Sequence, residues 1–247
     1  MRLAAGRLCY TPIAVDPEDP DAEERLSPLR DGDEPVMFGS FNRLAKFNDD
    51  VFDTWAEILR RVPDAQLELR ARLLDDSDTR EHCIARFTAR GIDESRLPLH
   101  GELSYRDLLA AYRQIDIALD PFPFSGCTTT CDALWMGCPT ITLPGSTFVS
   151  RQSASLLWRL GCDEWVARNT ADYIDRAAAL AAGIDGIRAG RRELRTLVER
   201  KLCNSAKQAI EFAHVIDALH ADSLRASLYP SGELDASSYT IPTQPSP

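Results

Sequence analysis

From Val36 onward, short apolar runs alternate with longer segments whose apolar residues recur every three or four positions. Residues 36–40 read as a strand. In 48–62, Val51, Phe52, Trp55, Ile58, Leu59 and Val62 fall on one stripe of a helix. Asp49 and Asp50 stand in its first turn and Arg60 and Arg61 in its last, matching the helix dipole, and Pro63 stops it. Residues 66–70 alternate as a strand, 78–90 are helical and 97–100 form a short strand. Ser104 and Asp107 resemble a capping box for a helix over 105–114. A buried strand follows at 115–119, then a loop, and a helix that Gly137 and Pro139 close. Residues 140–143 read as a strand, 148–160 as a helix and 164–167 as a last short strand. Residues 170–182, 186–201 and 204–225 are helical. Strands alternating with helices of this length predict an α/β fold, a Rossmann-like parallel sheet with helices on both faces. In such sheets ligands bind beyond the C-terminal ends of the strands.

Composition places the rest. Of the 247 residues, 44% are hydrophobic and 27% charged, an ordinary globular balance with length enough for a core. The net charge of −10 argues against a nucleic-acid partner. Residues 16–34 hold nine acids against two arginines, with Pro17, Pro20 and Pro28 among them, so 1–35 is expected to be an acidic connector. The tail over 226–247, rich in Pro, Ser and Thr, is expected to be disordered. Between them, 36–225 make the lobe. No run is long enough to span a bilayer, and the first residues do not form a signal peptide. Seven cysteines without a CxxC pair fit reduced thiols and a cytoplasmic setting better than a disulfide framework.

Two loops carry the chemistry. After the strand at 115–119 comes Phe124-Ser125-Gly126-Cys127-Thr128-Thr129-Thr130-Cys131-Asp132, running into a helix N-terminus. First-turn N–H groups without intrahelical partners, together with the helix dipole, make such an end an anion site. Thr128 and Thr129 add hydroxyl donors. Asp132 shares their face and, being a carboxylate, suits ribose hydroxyls better than phosphate. This stretch reads as a cradle for a nucleotide diphosphate; the plainer alternative is a threonine-rich cap on a buried helix. After the first strand comes Phe41-Asn42-Arg43-Leu44-Ala45-Lys46. Arg43 and Lys46 precede a helix N-terminus, where cations are disfavoured unless an anion lies between the loops. Lys46 suits a point charge on a diphosphate; the alternative is neutralisation by Asp49 and Asp50.

Other constellations are weaker. Asp31-Gly32-Asp33 has the Asp-x-Asp spacing of metal-dependent sugar transferases but sits among many acids. Cys127 and Cys131 lie one turn apart without ligands to complete a metal site. His82, His100, His214 and His220 are dispersed. GxGxxG and GxxxxGK[ST] are both missing, against an ordinary NAD enzyme or a P-loop NTPase.

The stretches FGSFNRLAKFNDDVFDTWAEILRRVPDAQLEL (38–69) and IDIALDPFPFSGCTTTCDALWMGCPTITLPGSTFVSRQSASLLWRLGCDEWVA (115–167) closely resemble the C-terminal half of the catalytic region of the O-linked N-acetylglucosamine transferase (SPINDLY-like) family. The resemblance covers roughly residues 8–224, and LCYTPIAVDPEDP (8–20) is similar to the connector between that family's lobes. It implies the nucleotide-sugar lobe of a two-lobed GT-B glycosyltransferase, inverting and metal-independent, that takes UDP-GlcNAc to protein serine or threonine. It also implies roles. Lys46 would hold the diphosphate and stabilise the leaving UDP. Thr128 and Thr129 would hydrogen-bond phosphate at the helix N-terminus, Arg43 is compatible with phosphate contact, Cys127 counts among the nucleotide-sugar-binding residues, and Asp132 would take ribose hydroxyls. Leu103, Tyr105, Leu108 and Ala111 would flank the nucleoside. Leu108 replaces a stacking His and Tyr105 a Lys, which leaves nucleotide and sugar open, a CMP-linked donor among them. No cofactor or metal is expected. The expected partners are a nucleotide sugar, a protein acceptor, and a separate N-terminal lobe or repeat protein, with neither nucleic acid nor membrane. A non-catalytic binding module, or a remnant of such an enzyme, is the alternative.

Overall fold

The computed structural model describes residues 8–13, 27 and 34–228, with side chains to 221. Most of the acidic connector, including Asp31-Gly32-Asp33, and everything after 228 lie outside these residues. The chain divides into two compact units, residues 5–205 and a second comprising 1–4 and 206–247. The division falls inside the stretch that the sequence assigns to the lobe.

The larger unit is built on five parallel strands: β1 (Met37–Ser40), β2 (Gln66–Arg70), β3 (Leu99–His100), β4 (Ile117–Leu119) and β5 (Thr140–Ile141). Their order is β3-β2-β1-β4-β5. The chain builds outward from β1 to β3, then returns to lay β4 on the other side of β1, with Phe38 beside Ile117 and Gly39 beside Ala118. The strand order therefore reverses between β1 and β4, and a crevice opens beyond their C-terminal ends.

Alternation along the central strands sends side chains to two cores. Phe38, Leu67, Leu69, Ile117 and Leu119 join one cluster with helix α1 (Asp49–Arg61), α2 (Ser77–Thr88) and α6 (Thr170–Ala182). Ala118 belongs to the other, with α3 (Tyr105–Ala111), α4 (Thr128–Trp135), α5 (Gln152–Leu160) and α8 (Arg191–Leu202). A parallel sheet needs this cover on both faces.

Helix α1 shows how local sequence fixes an element. Asn48 caps it by accepting from Val51 N–H at 2.9 Å, and also donates to the Phe122 carbonyl at 3.2 Å. The stripe Val51, Phe52, Trp55, Ile58 and Leu59 is buried. Because the cap also ties α1 to the loop after β4, Asn48→Ala should lower stability by about 1 kcal/mol. Urea unfolding checks this.

Several expected elements change. The strand expected over 164–167 is a 3₁₀ turn, Asp163–Trp165, followed by one parallel bridge from Val166 to Thr142. The Trp165 and Val166 amides are spent locally, on the Cys162 and Asp163 carbonyls, leaving little for a ladder. The strand expected over 140–143 shortens to β5, with Thr142 beyond it making only the single bridge to Val166. The helix expected over 186–201 breaks at Gly190 into α7 (Ile184–Ala189) and α8. The break lets Arg191 enter the interior, where it is fully buried. The helix expected over 105–114 ends as α3, with a 3₁₀ turn at Tyr112–Gln114.

The smaller unit contributes, among the described residues, the body of α9 (Ser205–Leu228). Its last turn runs into residues 226–228, which the sequence assigns to the tail. Among the described residues no helix is long and apolar enough to cross a membrane.

Candidate functional site

The two loops singled out by the sequence leave adjacent strands, β1 and β4, at the point of reversal. After β1, Leu44–Lys46 form a 3₁₀ turn that places Lys46 half-buried. Its Nζ donates to Asn42 Oδ1 at 2.8 Å and to the Ser125 carbonyl at 3.1 Å, and lies 4.9 Å from the centre of the Phe124 ring. Asn42 Oδ1 also accepts from Thr129 Oγ1 at 3.2 Å. One amide oxygen therefore joins the ammonium group to the first turn of α4. Cys127 occupies the N-cap position of that helix and makes no side-chain capping hydrogen bond to it. Thr128 is exposed and Thr129 half-buried. A small cleft runs beneath them, walled by Ser40, Asn42, Asp120, Thr129, Thr130 and Thr140. The buried Oγ1 of Thr140 has no hydrogen-bond partner there.

The loop between β4 and α4 is held from several sides. Ser125 Oγ donates to the Val149 carbonyl at 2.7 Å and accepts from the Gln152 N–H at 3.2 Å, at the start of α5. Thr130 and Ser153 hydroxyls meet at 2.7 Å. Gly126 must be glycine: a Cβ there would come within 2.4 Å of Thr130 Oγ1 and 2.9 Å of both Asp120 Oδ1 and Thr129 Oγ1.

Asp120, the first residue after β4, is 2% exposed. It accepts from Gly126 N–H at 2.5 Å and from Thr142 Oγ1 at 2.7 Å. Burial pushes its carboxyl up to about 6, against the pull of these donors and of Lys46. Burial likewise lowers the Lys46 ammonium; Asp120 and Cys127 oppose that fall, and Arg43 adds to it. The folded state holds the Asp120 proton more tightly than the unfolded one, so this group's contribution to stability falls as pH rises from about 4 to about 6. Asp120→Asn should therefore be more stable than the wild type at pH 7.5. Urea unfolding at about pH 4 should show that advantage reduced or gone.

Asp132, which the sequence assigns to ribose hydroxyls, meets two tyrosine hydroxyls in the structure. It is 2% exposed, and its Oδ1 accepts from Tyr10 Oη and Tyr105 Oη, each at 2.8 Å. The hydroxyls lie 3.5 Å apart. Burial raises the Asp132 carboxyl, and burial, with the carboxylate beside it, pushes the Tyr105 phenol up to about 12. Tyr10 is held by its N–H, which donates to the Leu202 carbonyl at 2.9 Å.

The structure thus joins Lys46 to Thr129 through Asn42, sets Arg43 and Cys127 within the electrostatic reach of Lys46, and leaves Arg43 and Thr128 exposed. Tyr105 joins Asp132. Leu103 stands exposed ahead of α3, and Leu108 and Ala111 pack, partly buried, against the second core. Sequence reasoning passed over Asn42, Asp120 and Tyr10. The only signal for the first two was their place directly after a strand, and Tyr10 gave none beyond its apolar patch. None of the seven cysteines forms a disulfide. Among the described residues no group of three or more His, Cys, Asp or Glu side chains is placed to hold a metal ion.

The family model for "Glycosyl transferase family 41" matches residues 28–210, a span that contains both loops and every strand. The chain belongs to glycosyl transferase family 41. A relative in Solanum lycopersicum, named "Probable UDP-N-acetylglucosamine--peptide N-acetylglucosaminyltransferase SPINDLY", is 35% identical over 211 residues, covering 84% of this chain and 22% of the relative. Among solved structures, a mutant of the Thermobaculum terrenum O-GlcNAc transferase is 38% identical with a TM-score of 0.71, over 81% of this chain and 38% of that one. Sucrose-phosphate synthase from Thermosynechococcus elongatus, 17% identical with a TM-score of 0.56, covers 90% of this chain and 51% of its own, and shares the fold. The family 41 lobe is thus a GT-B-type parallel sheet, and the chain spans about a fifth of the length of the curated SPINDLY relatives it matches.

Proposed function

We propose that this chain is the donor-binding lobe of a family 41 protein O-glycosyltransferase, which takes UDP-GlcNAc to serine or threonine of a protein acceptor. The observation that carries the reading is the meeting of Lys46 and Thr129 on the single oxygen of Asn42, beside the start of α4. An ammonium group and a helix N-terminus at one crevice suit a diphosphate. In this reading Lys46, Thr128 and Thr129 hold the diphosphate, with Arg43 and Cys127 at its edge. Lys46 also stabilises negative charge as it develops on the departing UDP, the kind of preorganised electrostatic help that accelerates group transfer. Charge neutralisation by protein groups leaves the reaction, which inverts the sugar, without need of a metal.

The ribose reaches Asp132 by displacing the Tyr105 hydroxyl, while Leu103, Leu108 and Ala111 flank the base. An N-terminal lobe or repeat protein supplies the acceptor contacts, and the cytoplasm is the working compartment. Isothermal titration of the chain with UDP, with CMP and GDP as controls, tests the reading. Selective UDP binding is expected. Selective CMP binding would keep the lobe and change the donor, and absence of binding to all three would overturn the reading in favour of a non-catalytic module.

A further inference from the structure

We propose that Asp120 is a positioning residue for Lys46, acting through the Ser125–Gly126 peptide. The inference rests on the reading of Lys46 as the diphosphate ligand, but its geometry does not depend on any ligand. Asp120 Oδ1 accepts the Gly126 N–H at 2.5 Å, and Lys46 Nζ donates to the Ser125 carbonyl at 3.1 Å. These N–H and C=O groups belong to one planar peptide unit and point in opposite directions. A carboxylate grips one edge of that plane and an ammonium group the other, so each bond polarises the peptide in favour of the second.

Asp120 is itself immobilised. Thr142 Oγ1 donates to its Oδ2 at 2.7 Å, and Tyr173 Oη donates to its backbone carbonyl at 3.0 Å. The titratable groups that face it are Lys46 from the loop after β1, Tyr112 from the turn after α3, and Tyr173 from α6. Lys46 alone among these is a cation. Turning the peptide would swing the Ser125 carbonyl away and leave Lys46 with Asn42 as its remaining hydrogen-bond acceptor. Ionised Asp120 thus holds the carbonyl toward Lys46 and offsets part of the burial that disfavours its charge.

The chain has three lysines, Lys46, Lys201 and Lys207, so lysine labelled with ¹³C and ¹⁵N gives three side-chain Cε–Nζ correlations. The Lys46 signal is assigned by its loss in Lys46→Arg. In the ligand-free wild type it should show an inflection near pH 6, where Asp120 titrates. In Asp120→Asn that inflection should vanish and the midpoint of Lys46 itself should fall by about half a pH unit or more. Thr142→Val supplies a second variant: losing a donor to Asp120 should move the inflection upward. An inflection that persists in Asp120→Asn, or one that is missing from the wild type, overturns the proposal. UDP is added last, which keeps the two readings apart. A chain whose Lys46 follows Asp120 but does not bind UDP fails as a donor lobe. A chain that binds UDP with Lys46 indifferent to Asp120 refutes the positioning role.

Discussion

Lys46→Ala should weaken UDP binding by about 30-fold to 150-fold, the loss expected when a charge-assisted hydrogen bond worth about 2–3 kcal/mol is removed. The half-buried position of Lys46 puts it at the upper end of that range, since solvent screens it less than a surface cation. Arginine should not restore the affinity, because its planar fork cannot reproduce the two bonds that a compact ammonium group makes to Asn42 and Ser125. Arg43→Ala is the contrast. That side chain is exposed, and its loss should cost about threefold or less and fade with added salt. Titration calorimetry at two ionic strengths measures all three variants. Wild-type affinity in Lys46→Ala would remove the lysine from the site.

The largest effect on stability is expected at Arg191. Its guanidinium is fully buried and donates to the carbonyls of Ile115 at 2.6 Å, Tyr112 at 3.0 Å and Met136 at 2.8 Å. Those carbonyls belong to the approach to β4, the turn after α3 and the end of α4, so one side chain pins three elements of the second face. Arg191→Ala leaves three buried acceptors without this donor and opens a cavity, and should cost about 3–5 kcal/mol. Lysine can satisfy part of the set, but not in the same plane, and should recover only part of the loss. Urea unfolding gives the comparison; a loss below about 1 kcal/mol would show that water replaces the guanidinium at no great cost.

What could be read from the chain divides along physical lines. Helix α1 was legible because its stripe, charge bias and terminating proline all point the same way. The two site loops were legible because each follows an apolar run and ends in a helix start. Arg191 was hidden by its type: a helix pattern that passes through Gly190 gives no reason to bury a cation, since the reward comes from carbonyls 55 to 79 residues away. The expected strand at 164–167 failed because the Trp165 and Val166 amides found local acceptors, a competition that side-chain alternation does not reveal. Asn42 and Asp120 were visible as letters but not as roles, because each draws its meaning from a loop that meets it only in three dimensions. Asp132 could be read only against neighbours on its own helix. Its tyrosine partners come from positions 122 and 27 residues away, beyond what spacing within one helix can show.

The Tyr10 bond to Asp132 has a consequence for where the lobe begins. Among the described residues the first strand is β1, and a version of the protein cut to begin at Val36 would keep every described strand and helix. It would lose one of the two hydroxyls on Asp132, the ring that packs 6.1 Å from Trp135, and the amide that fills the Leu202 carbonyl. Residues 8–13 thus behave as a piece of the wall, although they stand well ahead of β1 in the sequence. The edge of this lobe is set by what it packs against and not by where its first strand is written.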